Sequence, residues 1–109
     1  MAPKTVELLV VLTKLASLLS SDGERNWSSW MLRAKTRLEN SDFSGVEYLL
    51  SAYGGMGSFS DFVAGQDMVS GQFAWKPGYV SLNDELDELR SKAWSLAMDL
   101  KRDHAVKRS

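Results

Sequence analysis

The chain has 109 residues, 44% hydrophobic and 25% charged, with no cysteine, one histidine and a net charge of −1. This is the composition of one ordinary soluble globular domain spanning 1–109, with a compact surface of roughly 6,100 Å². It excludes disulfides, zinc clusters, thiol nucleophiles and His-rich metal sites, and it offers no charge excess to nucleic acid or an anionic membrane.

Residues 5–21 read as the first helix, with Leu8, Leu9, Val11, Leu12, Leu15, Ala16, Leu18 and Leu19 covering about half its girth at helical spacing. Val6 and Val10 fall in the arc that also holds Glu7, Lys14 and Ser17, so the helix is expected either to be touched from several sides or to carry a homodimer contact. The apolar run Leu8 to Leu12 is too short to span a bilayer, Glu7 and Lys14 bracket it, and no small-residue cleavage site follows. A cytoplasmic protein is the expectation.

Asp22-Gly23 ends this helix, and a second covers about 25–40 with Trp27, Trp30, Met31, Ala34 and Leu38 on one arc. Helical spacing toward a core accounts for both tryptophans without a ligand. Ser44-Gly45-Val46-Glu47 has the spacing of a capping box opening a short helix that Gly54-Gly55 stops. Ser58-Phe59-Ser60-Asp61 repeats that spacing before one more turn. Residues 65–81 then read either as an irregular loop or as a short hairpin.

The last helix carries Leu82, Leu86, Leu89, Ala93, Leu96, Ala97 and Leu100 on one stripe, with a cap from Ser81 or Asn83. Trp94 and Met98 lie off that stripe and need a second contact surface. The whole is expected to be an all-α, up-and-down bundle of about four helices, with a glycine-rich loop before the last one.

Catalytic constellations fail the residue count. His104 sits in the charged C-terminal segment and reads as a solvated side chain. Asp61 and Asp67 match no cation-loop spacing, and Asp61 already has a capping role. No catalytic residue, metal or cofactor is therefore expected. The segment Tyr53-Gly54-Gly55-Met56-Gly57-Ser58-Phe59-Ser60-Asp61-Phe62 is the most specific stretch. Its glycines allow a sharp turn and close approach, and helix-start amides after Ser58 would suit an anion. The structural alternative is a tight connection, with Phe59 and Phe62 plugging the core.

Together with the Trp27 neighbourhood, Leu49-Leu50-Ser51-Ala52 and this glycine segment resemble a family of small bacterial proteins of uncharacterised function, over about residues 8 to 64. The resemblance implies a free-standing small domain and transfers no activity.

Two functions follow as expectations. The first is a non-catalytic protein-interaction domain, a class that includes antitoxin and immunity proteins, with a homodimer through Val6 and Val10. The second is a small-ligand or anion-binding domain built on the Gly54–Asp61 turn. The candidate binding residues are Gly55, Gly57, Ser58, Phe59, Asp61, Trp75, Tyr79 and Trp94.

Overall fold

A computed structural model describes residues 1–54 and 57–108. In chain order it contains α1 (Pro3–Ser21), α2 (Arg25–Glu39), α3 (Ser44–Leu50), a single 3₁₀ turn (Phe59–Asp61), β1 (Gln66–Val69), β2 (Gln72–Trp75) and α4 (Tyr79–Arg108). The expected helices are present, but the fold is not wholly helical. Residues 66–75 form an antiparallel hairpin with Met68 opposite Phe73 and Val69 opposite Gln72. Its two-residue turn, Ser70-Gly71, holds both residues at positive φ, 53° and 79°. That is the geometry whose twist matches two paired strands.

α1 ends as its sequence indicates. Gly23 takes φ 86°, and the amides of Gly23 and Glu24 return to the carbonyls of Ser20 and Leu19 at 3.0 and 2.9 Å. These are the two bonds of a Schellman stop. The chain reverses there, and α2 runs back along α1, tied to it by the buried Ser28 hydroxyl donating to the Ala16 carbonyl at 2.9 Å. α4 also lies antiparallel to α1: Lys4 near the start of α1 pairs with Asp103 near the end of α4 at 3.3 Å. α1 is thus the central helix. Leu8, Leu12, Leu15 and Leu19 on α1 are fully buried against Met31, Ala34, Val46, Leu49, Leu86, Ala93 and Ala97.

Two expected caps form differently. α3 opens after Phe43 with no side-chain cap. The Ser44 amide instead donates to Asp42 Oδ1 at 3.0 Å, and Glu47 pairs outward with Lys101 at 3.4 Å. α4 begins at Tyr79, three residues before the first leucine of its stripe, directly after Pro77-Gly78. Asn83 is therefore inside the helix, where its amide acts as a substitute peptide group. It accepts from the Ala64 amide and donates to the Ala64 carbonyl, both at 2.8 Å. His104 is not a free solvated side chain either, since it stacks on Phe43 with ring centres 3.8 Å apart.

The molecule is elongated, 57 × 25 × 20 Å with a radius of gyration of 15.1 Å, against about 13 Å for a compact domain of this length. The 30-residue α4 sets the long axis.

Candidate functional site

The glycine turn is shaped by the groups around it. Gly54 and Gly57 take φ 95° and 77°, as a sharp reversal requires. Gly55 lies outside the described residues. The Phe59 amide donates back to Ala52 at 2.9 Å, closing the loop, and the Phe59 ring is fully buried. Ser58 does not cap the turn; its hydroxyl oxygen is buried without a partner among the described residues. Asp61 answers one residue earlier than the box predicts, accepting from the Gly57 amide at 3.2 Å. Gly54 donates to Ser60 Oγ at 3.3 Å. The Gly54 and Gly57 amides before Ser58 are thus spent on the protein's own oxygens, as are the Phe59 and Asp61 amides after it, which donate to the Ala52 and Ser58 carbonyls.

Arg90 on α4 holds this turn in place. Its Nη1 donates to the carbonyls of Phe59 and Phe62 at 2.7 and 2.8 Å, and its Nη2 pairs with Asp87. The guanidinium lies 5.5 Å from the Phe59 ring centre, a cation–π distance. Tyr53 completes the link, its hydroxyl donating to the Arg90 carbonyl at 2.8 Å. Burial pushes that hydroxyl's pKa above its ordinary value, partly opposed by the Arg90 charge. Arg90 is the residue that sequence reading passes over. Its only signal is its place beside Trp94, off the leucine stripe.

Between the turn and α4 lies an open groove of about 650 Å³, lined by Leu50, Tyr53, Gly54 and Ser60 on one side and by Arg90, Trp94, Met98 and Lys101 on the other. Trp94 is 46% exposed and lines this groove. Trp27 and Trp30 behave as the core reading expects. Trp30 stacks on Tyr48 at 4.8 Å and Trp27 meets Phe59 at 5.4 Å, while Trp30 Nε1 donates to the Tyr48 carbonyl at 2.9 Å.

Trp75 and Tyr79 do not join that site. They stack on each other at 4.6 Å at the base of the hairpin, and neither lines the groove. The hairpin root is fastened by six hydrogen bonds. Asp22, its side chain only 7% exposed, receives Lys76 Nζ at 3.1 Å and the Gly65 amide at 3.1 Å. Lys76 Nζ also reaches the Asp22 carbonyl at 2.8 Å. The Asn83–Ala64 pair and the Lys76 amide on Gly65 at 2.7 Å complete the anchor. Beyond this root, Met68, Phe73 and Trp75 share one face, 64%, 54% and 44% exposed. Val6 and Val10 stand about half exposed on α1.

Among the described residues no group of three or more His, Asp or Glu side chains gathers to hold a metal, and no helix is long and apolar enough to cross a membrane. The architecture is a small helical body carrying one rigidly rooted β-hairpin. Residues 20–70 match a family model described as Domain of unknown function (DUF6966). The match holds α2, α3, the glycine turn and β1, while α4 and its half of the groove lie beyond it. No curated protein and no solved structure matches the chain.

Proposed function

We propose that this chain is a non-catalytic protein-interaction module whose contact element is the hairpin. One observation carries the reading: a bare apolar face, Met68–Phe73–Trp75, mounted on a root held by a mostly buried ion pair and a doubly bonded asparagine. A hairpin left as a loose loop would lose ordering entropy on binding, whereas a fixed one has already lost it in folding. Exposed apolar side chains on a fixed element are the usual signature of an interaction surface.

The test is affinity capture with the wild-type chain and with a Met68→Ser/Phe73→Ser double variant, each shown to be helical by circular dichroism. A partner held by the wild type and released by the variant is the expected result. Equal retention by both proteins removes the hairpin from the interaction.

A second reading has its own observation. The Tyr53–Trp94 groove, at about 650 Å³, is within the size range of small-molecule sites, roughly 300–1,000 Å³. Quenching or a wavelength shift that Trp94→Phe abolishes, during titration with a small aromatic compound, is the outcome that supports it.

A further inference from the structure

The two edges of the hairpin are unequal. In a two-residue hairpin the pair closing the turn exchanges both backbone hydrogen bonds, and inward and outward pairs alternate from there. Val69 and Gln72 close this turn, so Asp67 and Ala74 form the next inward pair. The Lys76 amide bonded to the Gly65 carbonyl continues that alternation into the root. The outward amides and carbonyls therefore belong to Gln66 and Met68 on β1 and to Phe73 and Trp75 on β2.

On β1 the Met68 amide is satisfied by Asp67 Oδ1 at 2.8 Å, so that edge carries a carboxylate and one occupied donor. β2, Gln72-Phe73-Ala74-Trp75, has no charged residue, and β1 is its only strand partner among the described residues. Charged side chains are the common protection of an exposed strand edge. β2 lacks it.

We propose that the β2 edge pairs, antiparallel, with the β2 edge of a second copy of this chain about a two-fold axis at Ala74. This rests on the reading of the hairpin as the contact element. Residues 73 and 75 are equally far from that axis, so Phe73 of one copy stands opposite Trp75 of the other. Both are outward residues, and each such pair exchanges two backbone hydrogen bonds. A one-residue slip sets outward groups against inward ones and turns the aromatic faces to opposite sides. In the symmetric register the faces stay together, and the joined sheet carries two cross-strand Phe–Trp pairs side by side. The contact between four-residue strands is well short of the roughly 800 Å² per partner of a stable complex. The association is therefore weak and concentration-dependent.

Two-fold symmetry supplies the test, because it places Ala74 of each copy beside Ala74 of the other. Light scattering on the full chain from about 10 μM to about 1 mM should show a mass rising toward two chains. Over the same range the backbone amide signals of Phe73 and Trp75 should shift together while those of Gln66 and Met68 stay fixed. Ala74→Lys alone and Ala74→Glu alone should each weaken association at least about tenfold. Mixing the two variants should restore it, and both keep the inward ladder bonds that hold the hairpin. A mass that stays at one chain overturns the proposal. So does association reported by Val6 and Val10 rather than β2, or a Lys/Glu mixture that stays monomeric while the wild type pairs. None of these measurements involves a partner protein, so their failure is separate from failure of the capture experiment.

Discussion

Ser58 and Tyr53 show how single side chains in this turn depart from their local patterns. Ser58 stands three residues before Asp61, yet its hydroxyl is buried and unpartnered among the described residues. The segment that follows is one 3₁₀ turn of three residues, too short to present the amides a helix cap serves. A functioning serine cap is worth about 0.5–2 kcal/mol. Ser58→Ala removes a buried unpaired group instead, and chemical denaturation should place the variant within about 0.5 kcal/mol of wild type. Tyr53 is the opposite case, a phenol whose burial raises its pKa in the folded chain. The unfolded chain ionises Tyr53 near pH 10, where the folded chain still holds the proton. The unfolded state then binds fewer protons, so stability is fully present below about pH 10 and falls as pH rises toward the folded pKa. Urea unfolding between pH 8 and pH 11 should show a steeper loss for wild type than for Tyr53→Phe. Equal slopes would remove Tyr53 as the cause.

At the scale of elements, Gly45 separates helix propensity from packing. Propensity alone favours alanine in the first turn of α3, by about 1 kcal/mol. In the fold a Cβ there would lie 3.0 Å from the Ala34 carbonyl oxygen and 2.9 Å from Leu38 Cγ. Backbone cannot yield as a side-chain tip does, and overpacking costs about 1–3 kcal/mol. Gly45→Ala should therefore destabilise, by about 1–2 kcal/mol in urea, and a gain would show that α3 can move off α2. The same distinction marks what was legible in the sequence. Helices with a sustained apolar stripe were readable, and Leu86, Ala93, Leu96 and Ala97 are buried as expected, with Leu89 and Leu100 partly so. The hairpin was readable only as one of two options. Its strands are four residues long and largely exposed, so burial imposes no clean alternation on them. The Asn83 cap failed because its amide bonds Ala64, 19 positions away, which local spacing does not encode, while the boxes at Ser44 and Ser58 gave way to bonds from the Ser44 amide to Asp42 and from the Gly57 amide to Asp61. The groove was half legible: Trp94 marked one wall, but Arg90 joins the other through carbonyls that no side-chain pattern shows.

For the molecule as a whole, the hairpin and the helical body should open separately. No residue of β1 or β2 is buried, whereas the body holds the entire core cluster. Segments with few buried apolar contacts open at low free energy without global unfolding. What keeps the hairpin at a fixed angle is its root, and the charged centre of that root is Asp22, at the junction of α1 and α2. Asp22→Asn keeps an oxygen for the Gly65 amide but removes the charge that holds Lys76. Hydrogen bonds to charged groups are worth about 1.5–3 kcal/mol, so the inward hairpin amides of Asp67 and Ala74 should exchange with solvent roughly tenfold faster or more in the variant. The amides of Leu12, Leu15 and Met31 should change far less, because their protection comes from burial in the body. Equal acceleration in both sets would mean that the root also holds the helices together. Unchanged exchange at Asp67 and Ala74 would leave the Asn83–Ala64 pair as the sufficient anchor. In either event hydrogen exchange on the one variant distinguishes a mounted hairpin from one that is merely attached.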